Sequence, residues 1–192
     1  MQDPLESMFE ERIADIGSTF ASPQSWPVKR LVKLSKDVIR TFTSGNKLAF
    51  LGNGGSAAEA MHLAAEFTGK CVVPHSPLPA ICLNESQSSL TAIANDFGPE
   101  FIFSRQVEAH LKEKDILIAL STSGTSKNVL NALESGRSKG VKLILWSGLS
   151  APEVKDVDVW RVPSHSTPRI QEIHLACGHL LAEVVEQNKN WR

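Results

Sequence analysis

The sequence has no excess of charge of either sign. Its 20 lysines and arginines stand against 21 aspartates and glutamates, a net charge of −1 with histidine neutral. A general nucleic-acid binder would carry a basic excess or stripe, and no run of like charge is long enough for an acidic or basic tail. Cysteine is scarce too. Cys71, Cys82 and Cys177 are scattered and include no CxxC pair, which excludes a disulfide framework and a zinc ribbon. Each sits in an apolar context and reads as a small buried hydrophobe. No uninterrupted apolar stretch approaches the ~20 residues of a membrane span. The opening segment carries Asp3, Glu6, Glu10 and Glu11, the opposite of a signal peptide's basic start and apolar run. Repeats, low-complexity tracts and linkers are missing as well. These absences leave a cytoplasmic chain with no membrane or nucleic-acid partner. At 192 residues it is long enough for one substantial core.

Two kinds of pattern are present. Leu5, Met8, Phe9, Ile13, Ile16 and Phe20 recur at helical spacing, so the first twenty residues read as an amphipathic helix. Breaks at Ser22-Pro23 and Trp26-Pro27 follow. A second helix is expected over 28–42, with Leu31, Leu34 or Ser35, Val38 and Ile39 on its buried side. Beyond Gly45-Asn46 the text changes to short apolar runs, 48–51, 78–83, 116–120, 141–146 and 157–162. Helical patterns lie between most of them, over 56–67, 88–94, 101–111 and 126–139, and a last helix spans 167–186. Continuous apolar strands alternating with helices predict a parallel sheet covered on both faces. The expected fold is a three-layer αβα sandwich with five parallel strands. Residues 1–45 would form a helical pair that serves packing between subunits, and residues 46–192 would form the ligand-binding unit.

In such sheets ligands bind outside the carboxyl ends of the strands, where loops lead into helix N-termini. Two loops here suit an anion. Gly52-Asn53-Gly54-Gly55-Ser56 follows the first strand, and Ser121-Thr122-Ser123-Gly124-Thr125-Ser126 follows the third. Glycines let backbone N–H groups approach a ligand, hydroxyls add donors, and the helix dipole favours negative charge. Ser and Thr also cap helices and Gly also makes turns. Two such loops, each at a strand end, favour the anion. Neither carries Gly-Lys-Ser/Thr or GxGxxG, so a small phosphorylated metabolite fits better than a nucleotide.

His62-Leu63-Ala64-Ala65-Glu66 places an imidazole and a carboxylate four apart on one helical face, a spacing that suits zinc or another divalent ion. The last helix offers Gln171, Glu172, His174, His179 and Glu183. A single His-x3-Glu is more often a surface ion pair. His179 and Glu183 make a second one, so spacing alone leaves more than one quartet open. His75 and His110 stand in loop or surface contexts without partners in the sequence and are expected to be exposed. His165 precedes the last helix, where an approach to the ligand is the less favoured reading, and His174 is expected to be buried or to support the ligands from behind.

From Leu51 to Glu183, roughly seven-tenths of the chain, the motifs arrive in the order of a known family. They are Gly52-Asn53-Gly54-Gly55-Ser56, Ala60-Met61-His62 with Glu66, and Leu90 to Asp96. Ser121 to Gly124 with Ser126 and Arg169 to His174 with His179 complete the set. This text resembles the sugar isomerase (SIS) domain family and, within it, the bacterial phosphoheptose isomerases. The resemblance implies one zinc per subunit at His62, Glu66, Gln171 and His179. It implies substrate contacts at Asn53, Gly54, Gly55, Glu66, Asn95, Asp96, Ser121, Thr122, Ser123, Ser126 and Gln171, with the Ser/Thr loop on the phosphate. Implied too is a homotetramer with active sites at subunit interfaces. The activity it implies is conversion of sedoheptulose 7-phosphate to D-glycero-D-manno-heptose 7-phosphate through an enediol, for surface glycan synthesis. Glu66 and His179 would move the proton. Gln171 and His179 are eight residues apart, roughly 12 Å along a helix and about 80° around it, so one ion reaches both only if they lean together or come from two subunits.

Some relatives are non-catalytic regulators that bind the replication initiator protein. They lack counterparts of Glu66 and His179, which are present here. Three departures bear on specificity and turnover without removing an implied ligand. Lys70 stands where several relatives carry Arg, Pro168 replaces a small or acidic residue, and the 147–155 segment is short.

Overall fold

In the computed structural model, residues 3–191 are described, and Met1, Gln2 and Arg192 of the sequence-defined units lie outside that range. Five strands run parallel: β1 (Leu48–Gly52), β2 (Ala80–Cys82), β3 (Ile116–Leu120), β4 (Lys142–Gly148) and β5 (Asp158–Val162), in the order β2-β1-β3-β4-β5. The helices are α1 (Pro4–Ala21), α2 (Val28–Thr43), α3 (Gly55–Thr68), α4 (Gln87–Asp96), α5 (Ser104–His110), α6 (Lys127–Ser138) and α7 (Thr167–Glu186). The expected αβα sandwich is what forms.

Strand side chains alternate between two cores, as the two-residue period of a strand requires. Leu48, Phe50, Ile116, Ile118, Trp146 and Val162 pack with α2, α3 and α7, while Ala49, Leu51, Leu117, Ala119 and Leu145 pack with α5 and α6. Helix α2 contributes Leu34, Val38 and Phe42 to the first core. Helix α1 buries only Thr19.

Most boundaries match the sequence reading to within a residue or two, but two elements come out shorter than expected. The run 78–83 yields a strand of only three residues, Ala80–Cys82, because Pro77 and Pro79 have no N–H for a ladder. The expected 101–111 helix starts late: Pro99 opens a 3₁₀ turn, Pro99–Phe101, and the α-helix begins at Ser104.

Helices α3 and α7 run side by side in the same direction, and Gly178 is where they meet. A Cβ there would lie 2.2 Å from Leu63 Cδ2. Gly178→Ala should therefore cost about 1–3 kcal/mol by overpacking. It should lower the urea midpoint, and the Leu63→Ala second change should recover part of the loss. An unchanged midpoint in the single variant would show that the contact is not tight.

Candidate active site

The order of the strands reverses direction between β1 and β3, so α3 and α6 leave the sheet on opposite faces and a crevice opens between their loops. Both predicted anion loops lie here. In the first, only glycine fits at 52, where a Cβ would sit 2.4 Å from the Ser56 carbonyl oxygen. Asn84 clamps the same residue: its Oδ1 accepts the Gly52 N–H (3.1 Å) and its Nδ2 donates to Gly52 O (2.9 Å). In the second, Gly124 has φ +67° and its N–H donates to Ser121 O (3.0 Å) and Ser121 Oγ (3.2 Å). Ser121 Oγ donates to Ser126 Oγ at 3.3 Å.

A reciprocal amide pair joins the loops. Asn53 Nδ2 donates to Asn128 Oδ1 and Asn128 Nδ2 to Asn53 Oδ1, both at 2.9 Å. Asn128 Oδ1 also accepts the Val129 N–H (2.9 Å), which fixes the orientation of both amides, since a backbone N–H can only donate. The cleft between the loops is lined by Asn53, Gly55, Ser56, Ser121, Thr122, Ser126 and Gln171. Gln171 Nε2 donates to Ser56 Oγ at 3.2 Å. Asn95 and Asp96 end α4, exposed, with Asn95 Nδ2 donating to Asp96 Oδ1 at 2.7 Å.

Further along the α3–α7 groove, His62, Glu66 and His179 converge with one ligand atom of each within 4.8 Å of the others. His62 Nε2 lies 2.8 Å from His179 Nε2 and 3.2 Å from Glu66 Oε1. Two imidazole nitrogens and a carboxylate oxygen aimed at one point are a donor set that a borderline divalent cation takes. Glu183 is not a member of the group. Gln171, two helical turns before His179, is at Ser56 instead.

Sequence reasoning missed several supporting residues. Asn84 and Asn128 looked like ordinary loop and helix polar residues. The thiol of Cys71 is not inert packing: burial and the neighbouring Glu66 carboxylate push it up to about 12. His75 is a correction, because its side chain is fully buried, 3.8 Å from Glu186. That carboxylate also accepts the N–H groups of Cys71, Val72 and Val73 (3.0–3.1 Å), folding the 71–76 segment inward. His174 is buried as expected. Between Trp146 and Trp160 it is held down to about 4 by desolvation, so it is neutral, with Nε2 donating to Ser147 O at 3.3 Å.

The SIS domain model matches residues 8–148. A phosphoheptose isomerase of Rhodospirillum rubrum is 50% identical over 152 residues, 78% of this chain and 80% of that one. One from Aliarcobacter butzleri is 42% identical over 180 residues, covering 92% and 91% of the two chains. The solved structure of phosphoheptose isomerase from Neisseria gonorrhoeae superposes with a TM-score of 0.86 at 30% identity, over 96% of this chain and 100% of that one. The chain belongs to the phosphoheptose isomerases of the SIS domain family. It is therefore an isomerase, and the two loops and the His62–Glu66–His179 group are its natural candidates for binding and chemistry. Among the described residues no helix is long and apolar enough to cross a membrane.

One carboxyl near the cleft has no counterpart in the sequence reading. Glu59, one turn after Ser56, is 8% exposed with neither side-chain oxygen hydrogen-bonded. Burial pushes it up to about 7, with the nearby Ser56 hydroxyl pulling slightly the other way. Its folded value lies above its ordinary one. The stability it permits is thus full below the ordinary carboxylate range and is lost as pH rises through about 7. Glu59→Gln escapes that loss. Its stability relative to the wild type should grow by about 2 kcal/mol between pH 5 and pH 8. Urea unfolding at the two pH values measures it, and a constant difference would mean that Glu59 is ionised throughout.

Proposed function

We propose that the protein interconverts sedoheptulose 7-phosphate and D-glycero-D-manno-heptose 7-phosphate, with zinc, to feed heptose into a bacterial surface glycan. The observation that carries this reading is the pairing, on one α3–α7 groove, of an uncharged anion cradle with the His62–Glu66–His179 group, in a chain of this family. The Ser121–Ser126 loop binds the phosphate. Asn53, Gly54, Gly55, Asn95, Asp96 and Gln171 orient the sugar hydroxyls.

The reaction moves a proton between adjacent carbons through an enediol. Glu66 and His179 carry it, and each such group typically contributes ~10²–10⁴-fold to rate. A bound zinc supplies Lewis-acid polarisation of the carbonyl oxygen. His62, Glu66 and His179 would hold it, and Gln171, whose amide is at Ser56 in its own chain, would complete the set from a neighbouring subunit. A metal-held carboxylate would be a poor base, so Glu66 would need one oxygen free of the ion to take the substrate proton, with His62 and His179 as the lasting ligands.

Assembly as a homotetramer is supported by α1. Leu5, Met8, Phe9 and Ile13 are 63%, 55%, 70% and 64% exposed on one helix, an apolar face that a second copy would cover.

The test is metal content by mass spectrometry together with turnover of sedoheptulose 7-phosphate before and after chelation. Stoichiometric zinc and activity lost on chelation are expected. Glu66→Gln and His179→Gln should each lose at least about 10²-fold in kcat with an unchanged circular dichroism spectrum. A folded, metal-free protein without turnover would sink the isomerase reading in favour of a non-catalytic regulator.

A further inference from the structure

The cleft at the Ser/Thr loop has a neighbour. An outer lobe that shares Thr122 and Thr167 with it is lined also by Ser123, Ser150, Ser164 and His165. Along both lobes the lining consists of hydroxyls, amides, glycines and aliphatic groups, with one exception. His165 is the only ionisable side chain among the described residues that line either lobe. A phosphate here would meet backbone N–H groups and hydroxyls but no fixed positive charge.

The charged groups on the surrounding elements are engaged elsewhere. Arg169 of α7 pairs with Asp15 and Glu172, Arg161 of β5 with Glu153, and Lys127 of α6 with Glu100. None lines the cleft. His165 is exposed, on the segment between β5 and α7, and its Nδ1 is 3.0 Å from Ser150 Oγ. The Ser150 hydroxyl can accept from a protonated ring as readily as it donates to a neutral one. Among the described residues Nε2 has no hydrogen-bond partner, and it is the atom left to meet a ligand.

We propose that His165 is a phosphate-recognition residue whose imidazolium faces the substrate's phosphate across the outer lobe, so that the phosphate binds with uptake of a proton from solvent. The proposal rests on the phosphosugar reading above. Histidine changes charge between pH 5 and pH 8, so affinity for the phosphate end falls as pH rises. The neutral cradle sets where the anion sits, and His165 sets how tightly it is held at a given pH.

The probe is sulfate, which stays dianionic over this range, unlike phosphate. Its binding to the purified, metal-loaded protein is followed by calorimetry from pH 5.5 to 8.5, and turnover is assayed separately. In the wild type the dissociation constant should weaken by about tenfold over that span. His165→Gln should show the weak value throughout, and His165→Lys the tight value throughout. A pH-independent constant in the wild type overturns the proposal, as does a slope that survives in His165→Gln, or no sulfate binding at all. Turnover without pH-dependent sulfate binding would remove His165's role and leave the isomerase intact. The reverse result would keep the anion site and cost the isomerase reading.

Discussion

The close parallel contact between α3 and α7 organises the molecule. Both helices follow strands of one parallel sheet onto the same face, and the missing side chain at Gly178 lets Leu63 fill the space between them. Three stations follow from that single register. Gln171 meets Ser56 beside the first loop, His179 meets His62 beyond it, and Glu186 receives the N–H groups of the segment that follows α3. From Gln171 to Glu186 is about 22 Å of helix. Any change that slides α7 along α3 moves all three together, so the site is as rigid as the core beneath it.

The register also separates two kinds of electrostatics. At the first station the donors are neutral, dipoles and hydroxyls at helix starts of the kind that suits an anion. At the second, titratable nitrogens and a carboxylate crowd together at hydrogen-bond distance, an arrangement that is comfortable only with a shared proton or a shared cation. Cys71 lies beside the Glu66 carboxylate there, and that carboxylate together with burial keeps the thiol protonated. Neutral donors suit a group that must bind and leave. The polarisable cluster suits a bond that must be made and broken.

What the sequence made legible was periodicity and glycine chemistry. Apolar runs identified every strand, and the two loops announced themselves because Gly52 and Gly124 occupy positions no other residue fits. Partners far apart in sequence were not legible. Asn84 reaches across 32 residues to Gly52 and Asn53 across 75 to Asn128, and nothing local distinguishes these asparagines from capping or turn residues. His75 misled for the same reason: its surroundings in sequence are loop-like, while its burial comes from Glu186 at the far end of the chain. His62 and Glu66 were readable as a pair on one helix. That His179 rather than Glu183 completes the group depends on the α3–α7 register, which spacing cannot encode.

Helix α1 shows how assembly bears on the chemistry. An isolated helix of 18 residues is marginal in water. This one is capped by Asp3 and Pro4 but buries a single residue of its own. Ser25 and Trp26 hold its last turn through 2.7 Å bonds to Thr19 O and Phe20 O, and its tie to α7 is Arg169, which reaches the Asp15 carboxylate (3.6 Å) and the Arg12 carbonyl (3.4 Å) while holding Glu172 at 2.5 Å. Arg169 and Glu172 flank Gln171 on both sides in the sequence. In the proposed tetramer, covering the apolar face of α1 would fix that helix, α1 would fix Arg169, and Arg169 would fix the turn of α7 that presents Gln171. An amide presented toward another subunit needs such a support, because a free glutamine side chain loses about 1.5–2 kcal/mol of rotamer entropy on being ordered. On this view oligomerisation and completion of the site are one event, and the apolar stripe of α1 belongs to the active site as much as the glycines do.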